Sequence, residues 1–554
     1  MKAKKVLSLL IAASLMLTPL LTSCRKKGKD GESRYLRAEV HFDELEYSRP
    51  DFDAILALAA EIDEMAENGE DESAVYDAFD ELDDSLVSAV TQDRLLSFRQ
   101  SMDTTDESIN AEIDEIAEPL VLCEQAYFRL AAKLLDGKYE DALFGDLTDD
   151  EKQEIRDEAE ALDDDYVALS KRQTEIVNKY TSNLTLETVI DGETLTLAEV
   201  LEKYDENTYY EELNKVCGPL YLELIDVGKK MAEKRGYDSF AECAYADSYG
   251  RDFTPEQSDR LSEYVKEYIL PLYFSIVSVT DGYDNDDEFN IFDHEKELRE
   301  YFASIDPRML DAYDYMKEFG LYVIDGKDVM QPGAYTTYLD SYDVPLIFIR
   351  TEGTYADLET FIHEFGHFYS FYLYGSDLDY NIDIDEIHSQ GNEALFLPVW
   401  KDIFGSRAFK SISGEIAASY LESIIFACLI DHFEQLVYSS DVSTVEEVNG
   451  LFKKAYADFG LLDNGDYIWT MIHHLYQVPM YYISYGTSLI PTLEIYVTSL
   501  DDYKSGVALY NEIMAYSAEA EGFCDLAENT SLSDPFAEDT IKKICDKLEK
   551  HFID

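Results

Sequence analysis

Helical periodicity is the feature that most constrains the fold of this chain. Within residues 51–68 the apolar side chains recur at the spacing of one helix face: Phe52, Ile55, Leu56, Leu58, Ala59, Ile62 and Met65. Pro50 precedes this segment, as is typical of a helix start. Residues 111–136 and 149–180 repeat the pattern, with Asp and Glu on the outer face. Because the 554 residues include only 13 Pro and 26 Gly, we expect a predominantly α-helical protein.

The charge balance excludes one class of partner. The chain has 45 Lys and Arg against 116 Asp and Glu, a formal net charge of −71. Phosphates are bound by cationic surfaces, so we expect no nucleic-acid partner. Acidity does not indicate disorder here, because 46% of the residues are hydrophobic and 13% are aromatic. A chain of this length predicts more than one lobe.

The first forty residues predict an export signal. Lys2, Lys4 and Lys5 precede an apolar run over residues 6–21, and small residues then lead to Cys24. This order is similar to the lipobox of bacterial lipoproteins, in which the cysteine is lipidated. We therefore expect residues 1–23 to be a signal peptide and residues 24–40 a lipidated, basic tether, which holds an extracytoplasmic protein on the bacterial cell membrane. The alternative is a plain cleaved signal with a chance cysteine.

The sequence changes character after residue 326. Turn-forming residues surround Gly333, and residues 344–349 form a short run rich in β-forming side chains, ended by Gly353. We expect a strand at this run and a helix that starts near Tyr355. We place the boundary between an N-terminal helical region, 41–330, and a catalytic region, 331–554, at this change. A strand with an exposed edge could hold an extended peptide by backbone hydrogen bonds.

The expected helix carries the motif His363-Glu364-Phe365-Gly366-His367. Two histidines at positions i and i+4 present both imidazoles on one helix face, where they could bind a metal ion. Glu364 lies beside them and could accept a proton from an attacking water. Zinc suits such a site, because it takes imidazole and carboxylate ligands and keeps a position open for water. We expect one Zn²⁺ per chain.

A third metal ligand is expected downstream. Glu386 and Glu393 are seven residues apart, two turns along one helix face. We choose Glu386 as the ligand and Glu393 as the residue that orients a ligand. The reverse assignment and His388 as the ligand stay open.

These residues resemble the oligoendopeptidase F branch of the thimet-oligopeptidase-like zinc metallopeptidases. The likeness rests on the HExxH motif, on Glu386-Ile387-His388-Ser389 with Glu393, and on the segments around Gly333, Pro345 and Gly353, with Asp357 ahead of the motif. Residues 474–486, HLYQVPMYYISYG, are similar too. Specific likeness covers roughly residues 230–490.

The resemblance implies a role for each matching position. His363, His367 and Glu386 match zinc ligands and Glu364 matches the general base, while His474, Tyr482 and Tyr485 match the groups aimed at the substrate carbonyl. His473 is a competitor for His474, and Tyr476 and Tyr481 are expected to pack. Eighteen residues separate His367 from Glu386, a shorter connection than is usual in this family, so substrate preference stays open.

Together these patterns predict an exported, lipid-anchored zinc endopeptidase of two-lobed, predominantly α-helical architecture, with a small β-sheet beside the HExxH helix. The resemblance implies that it cuts short peptides in a deep channel that excludes folded proteins. Two sets of residues complete the expected site. Substrate-binding residues are Gly333, Tyr335, Ile347, Phe348 and Ile349, and supporting residues are Glu393 and Asp357. The alternatives are a zinc aminopeptidase of another clan and a catalytically dead peptide-binding lipoprotein. The sequence does not give the oligomeric state.

Overall fold

A computed structural model describes most of the chain. It covers residues 38–145, 147–183, 188–190, 193–195, 200, 203–204, 206–280, 289–375, 381–461, 467–520 and 522–553. The expected signal peptide, and Cys24 with most of the tether, lie outside the described residues.

Amphipathic helices build the N-terminal half. They are α1 (Phe52–Asn68), α2 (Glu72–Met102), α3 (Glu107–Leu135), α4 (Glu140–Phe144), α5 (Asp149–Ala161), α6 (Asp164–Asn183), α7 (Glu206–Lys234), α8 (Phe240–Cys243), α9 (Pro255–Tyr264), α10 (Leu270–Val279), α11 (Glu295–Ile305) and α12 (Pro307–Phe319). The short strands β1 (Thr188–Ile190) and β2 (Glu193–Leu195) form a hairpin between α6 and α7.

The ends of these helices follow local chemistry. Asp51 caps α1 by accepting a hydrogen bond from the Ala54 amide, and Gly69 ends it in the left-handed conformation. The expected helix over residues 149–180 is two helices instead, α5 and α6. The break lies at Asp163, whose carboxylate accepts a hydrogen bond from the Tyr166 amide and pairs with Lys234 of α7. A local cap thus overrides the continuous helical pattern.

A three-stranded sheet separates the N-terminal helices from the C-terminal helices along the chain. Its strands are β3 (Tyr322–Asp325), β4 (Ala334–Leu339) and β5 (Val344–Arg350), in the order β3-β5-β4. β5 pairs parallel with β3 and antiparallel with β4, so it is the central strand. β3 joins this sheet although it precedes residue 331, and the expected division at residue 330 stays a prediction.

Long helices build the C-terminal half. They are α13 (Ala356–Tyr374), α14 (Ile382–Ser439), α15 (Val445–Asp458), α16 (His474–Gln477), α17 (Ile483–Asp501), α18 (Tyr503–Tyr516), α19 (Phe523–Asn529) and α20 (Glu538–Phe552). α14 breaks at Gly405, which has a φ of +79°. It contains an apolar window that is long enough to cross a membrane, but 72% of that window is buried inside the protein, as is typical of a core helix. The predicted helical fold with a small sheet beside α13 is confirmed.

A buried arginine joins the two halves behind the site. The Arg251 guanidinium pairs with Asp383 of α14 at 3.0 Å, and both side chains are fully buried. It also donates to the Met480 carbonyl at 3.0 Å and to the Ser484 hydroxyl at 2.8 Å. Arg251 therefore connects the start of α14 to the segment before α17.

We expect Arg251→Met to lower the free energy of unfolding by about 3–5 kcal/mol, because it leaves the Asp383 carboxylate buried without its cation. The matched control is Arg299→Met, which breaks the half-exposed pair with Asp314 and should cost at most about 1 kcal/mol. Urea unfolding of both variants measures the difference. Equal losses in the two variants would contradict the role of the buried pair.

Candidate metal centre and active site

The two motif histidines lie side by side on α13. This helix packs against β4 and β5, and its apolar side is buried by Phe361 and Phe365. The spacing of four residues brings the rings of His363 and His367 to a centroid distance of 5.1 Å. Both imidazoles are only partly buried, so they face open space and not the core.

Glu386 of α14 completes a three-ligand cluster. Its Oε2 lies 3.5 Å from Nε2 of His363 and 3.7 Å from Nε2 of His367. One ligand atom from each residue lies within 4.8 Å of the other two, an arrangement that could hold a metal ion.

A glycine in α13, Gly366, allows α14 to approach closely enough for Glu386 to reach the two histidines. A Cβ atom on Gly366 would lie 2.5 Å from the His388 carbonyl oxygen and 2.6 Å from the Ser389 Cα. These are backbone atoms of α14, so no side-chain rotation could relieve the clash. The Asn392 side chain adds a second tie by donating to the Ile362 carbonyl at 2.7 Å. The close crossing of α13 and α14 therefore sets the position of Glu386.

Glu393 and Tyr481 hold the cluster from outside. Glu393 Oε1 lies 2.5 Å from Nδ1 of His363, a contact that would keep the hydrogen of the neutral imidazole on Nδ1 and leave Nε2 for a cation. The Tyr481 hydroxyl donates to Glu386 Oε1 at 2.8 Å. Glu386 therefore belongs to the cluster, whereas Glu393 contacts the cluster through His363. His388 is fully buried and contacts the Ser517 hydroxyl at 2.7 Å, away from the cluster.

The carboxylates make this a position that attracts cations. Burial disfavours the protonated form of His363, yet Glu393 and the neighbouring carboxylates raise the pKa of His363 to about 10. Burial and the charge on His363 hold the pKa of His367 well below its usual value, so its Nε2 is free to act as a ligand. The cluster therefore favours a positive charge between the two rings.

Glu364 lies beside the cluster on the cavity side. Its Oε2 accepts a hydrogen bond from the Thr336 hydroxyl of β4 at 2.7 Å. Burial raises the pKa of Glu364 to about 7, partly opposed by His363. A carboxylate with a pKa near neutrality suits a general base.

His474, Tyr482 and Tyr485 form a second group of contacting side chains, and they follow the cluster residues in the sequence. His474 Nε2 lies 3.2 Å from the Tyr485 hydroxyl, and the Tyr482 ring packs edge-on against His474 with centroids 5.0 Å apart. Burial lowers the pKa of His474 and raises those of Tyr482 and Tyr485, so all three groups are neutral near pH 7. His473 stacks on His474 at 4.7 Å and also lines the cavity, so the structure does not separate the two.

A cavity of about 400 Å³ joins these groups. Its lining includes His363, Glu364, His367, Glu386, His474, Tyr481 and Tyr485, but not Tyr482. β4 supplies Ala334, Tyr335 and Thr336 next to Gly333, and helices α2, α3 and α6 supply a further part of the wall. The cavity therefore contains both the cluster and one strand of the sheet.

Two sequence predictions are wrong in detail. Ile347, Phe348 and Ile349 do not line the cavity, because β5 is the central strand and their side chains are at most 1% exposed. The strand beside the cavity is β4, which contains Tyr335. Asp357 does not support the cluster either, since its carboxylate accepts hydrogen bonds from the amides of residues 352–354 at the start of α13.

Sequence reasoning missed two residues. Tyr481 was expected to pack, and Thr336 was not singled out. The signal for Tyr481 was its place within the tyrosine-rich run 481–485, whereas Thr336 had only its place three residues after Gly333. Both contacts join segments far apart in sequence, and no local pattern reports them.

The N-terminal region is similar in sequence to a known protein family, and most of the chain is similar in fold to solved structures. Residues 42–149 match the model of the Peptidase M3 N-terminal domain. No curated protein sequence matches the chain.

Three solved structures illustrate the likeness of fold. A Bacillus anthracis protein described as an oligoendopeptidase F is 20% identical, with a TM-score of 0.75 over 93% of this chain and 98% of that one. PZ peptidase A with an inhibitor is 20% identical, with a TM-score of 0.76 over 92% and 99%. Oligoendopeptidase-F from Enterococcus faecium is 14% identical, with a TM-score of 0.57 over 90% and 97%.

The chain thus combines an oligoendopeptidase-like fold with a His-His-Glu cluster. The resemblance to the oligoendopeptidase F branch is confirmed, by the match in the N-terminal region and by the fold of most of the chain. These matches support a peptidase.

Proposed function

We propose that this protein is a zinc endopeptidase that hydrolyses internal bonds of short peptides. The observation that carries the proposal is the cluster of His363, His367 and Glu386, which lines a cavity together with Glu364. The oligoendopeptidase-like fold supports the same reaction class.

The residues fit a zinc ion. Two imidazole nitrogens and one carboxylate are a common zinc ligand set that leaves a position for water. Glu393 fixes the His363 tautomer so that Nε2 points at the cluster. When bound, Zn²⁺ would lower the pKa of a water molecule and polarise the scissile carbonyl.

The chain's own groups supply the rest of the reaction. Glu364 would take the proton from the attacking water and pass it to the leaving amine. The Thr336 hydroxyl holds this carboxylate toward the cavity. His474 and Tyr485, which are neutral donors, would hydrogen-bond the oxyanion, with Tyr482 packed against His474.

β4 is positioned to align the substrate. β5 already uses both of its edges in pairing, whereas β4 is an edge strand that lines the cavity. An extended peptide could add to β4 through backbone hydrogen bonds, with Gly333 and Tyr335 at one end and Thr336 near Glu364. This arrangement favours short, extended substrates.

Mass spectrometry of a peptide mixture tests the proposal. We expect the purified protein to contain about one zinc per chain and to cut short peptides at internal bonds, including peptides with an acetylated amino terminus. An aminopeptidase would cut free peptides only. A peptide-binding protein with a dead site would contain no metal and cut nothing, and that result would refute the proposal.

We expect Tyr481→Phe to weaken the affinity for Zn²⁺ about tenfold, because it removes the hydrogen bond that holds Glu386 Oε1. Competition with a chelating dye measures this affinity. Tyr476→Phe is the matched control, since Tyr476 stacks on Tyr180 and donates to the Cys217 carbonyl, away from the cluster. An unchanged affinity in Tyr481→Phe would show that Tyr481 only packs.

The same proposal includes the location of the protein. Residues 1–24 have the order of a lipoprotein signal, so we propose an extracytoplasmic enzyme anchored through Cys24. Cys24→Ala should then move the protein from the membrane fraction to the soluble fraction. Retention in the membrane fraction would argue against a lipid anchor.

A further inference from the structure

The helical part of the cavity wall carries two acidic side chains that the proposed reaction does not use. Asp93 lies on α2 and Glu124 lies on α3, and both line the same cavity as the metal cluster. The other lining residues of α2, α3 and α6 are apolar or neutral, apart from Arg94.

Among the described residues neither carboxylate forms a salt bridge, although the charge of Arg94 lowers the pKa of Asp93 and the charge of Arg235 lowers that of Glu124. Arg94 is already paired with Asp340 at 2.5 Å and donates to the Tyr338 carbonyl at 2.9 Å. Arg235, which lies behind Glu124, is held by Glu158 at 2.7 Å. The nearest cations are therefore committed to other carboxylates.

Glu124 is also buried without full hydrogen bonding. Its side chain belongs to a residue that is 2% exposed, and Oε2 has no hydrogen-bond partner. A buried carboxylate oxygen without a partner is costly, and a bound cationic group would remove that cost. Burial, and for Glu124 the nearby carboxylates, raises the pKa of Asp93 to about 6 and that of Glu124 to about 8, and Arg94 and Arg235 oppose these shifts only in part.

The position of Asp93 along α2 gives its separation from the Tyr335 end of β4. At the C-terminal end of α2, the Ser101 hydroxyl accepts a hydrogen bond from the Tyr335 hydroxyl of β4 at 3.0 Å. Asp93 is eight residues earlier on the same helix, about 12 Å along its axis. That length corresponds to about three or four residues of an extended peptide.

We propose that Asp93 and Glu124 form a subsite for a positively charged group of the peptide, about three or four residues from the cleaved bond. The group is an ammonium or a guanidinium, supplied either by a Lys or Arg side chain or by the amino terminus of the peptide. This inference rests on the proposed function, because it takes the cavity to be the peptide-binding site.

Paired peptides test the subsite. The probes are nine-residue acetylated peptides that carry Lys or norleucine at one position, moved along an otherwise identical sequence, and the same set with a free amino terminus. Calorimetry measures their binding to the full-length Glu364→Gln variant with Zn²⁺, so that cleavage is not needed for the readout. We expect Lys to bind about tenfold more tightly than norleucine at one or two adjacent positions. If the amino terminus is the occupant, acetylation should weaken binding about tenfold instead.

Isosteric variants show whether Asp93 and Glu124 cause the preference for a positively charged group. Asp93→Asn with Glu124→Gln, added to the same background, should reduce the preference to less than about twofold, and each single change should reduce it in part. Asp84→Asn, an exposed acid on α2, removes one charge outside the cavity and should leave the preference intact.

Two results would overturn the subsite. One is the lack of a Lys or amino-terminal preference at every position, which needs no variant at this wall. The other is a preference that persists in the folded double variant. Failure of the proposed function looks different, since wild-type protein would then cut none of these peptides while the binding measurement still decides whether the subsite exists.

Discussion

Glu364→Gln should lower kcat/KM for an internally cleaved peptide by about 10³-fold while the protein keeps its fold and its zinc. The amide is nearly the same size as the carboxylate but cannot take a proton from water, and loss of a general base typically costs 10² to 10⁴ in rate. Thr336 can still hydrogen-bond the amide oxygen, so the local packing should persist. Steady-state cleavage of a quenched fluorescent peptide and metal analysis of the same sample measure the two properties.

The control for this variant is Glu352→Gln, which changes an exposed glutamate just ahead of α13 and should cleave at the wild-type rate. If Glu364→Gln retained more than about one tenth of the activity, another group would have to be the base. Loss of zinc along with activity would instead assign Glu364 a role in holding the metal.

Removal of the metal should abolish cleavage and also destabilise the protein. His363, His367, Glu386 and Glu364 bring carboxylates and imidazoles together in a buried space, and a cation offsets their charge. A ligand present at 100 times its Kd stabilises the folded state by about 2.7 kcal/mol. Treatment with a chelator should therefore leave less than about 1% of the activity and lower the thermal midpoint, and one equivalent of Zn²⁺ should restore both.

Variants separate this effect from nonspecific chelation. His367→Ala should reproduce the chelated state and gain little from added zinc. His432→Ala, which removes a surface histidine paired with Asp458 at 3.0 Å, should behave as wild type. Full activity after complete removal of metal would contradict the proposed reaction class.

The sequence predicted what depends on short spacing. The pair of histidines four residues apart needs only a helix to face one ion, and the amphipathic repeat in α1 needs only a core on one side. Both the helical fold and the small sheet beside α13 follow from such patterns. Glu386 lies on a different helix, so spacing left Glu393 and His388 open as ligands, and the resemblance then matched the choice of Glu386.

The predictions that were wrong or incomplete depend on the order of the strands in the sheet and on contacts between distant parts of the sequence. The continuous apolar run in β5 was interpreted as the peptide-binding strand, yet a strand that is apolar on both faces is expected in the centre of a sheet. β4, which begins with the more polar Ala334-Tyr335-Thr336-Thr337, is the edge. Asp357 near the motif instead holds the turn before α13, because its carboxylate accepts hydrogen bonds from the amides of residues 352–354. No local pattern predicts that Tyr481 reaches Glu386.

The position of Glu386 relative to the two histidines depends on how closely α13 and α14 cross at Gly366. Because hydrogen is the only side chain that fits against the backbone at His388, the separation of α13 and α14 is fixed by direct contact of main chains. Any larger residue would act as a spacer and move Glu386 away from both histidines at once. Metal affinity in variants at position 366 should therefore fall as the side chain becomes larger and the two helices move apart. Gly366→Ala, which adds a single methyl group, should give the smallest loss of affinity.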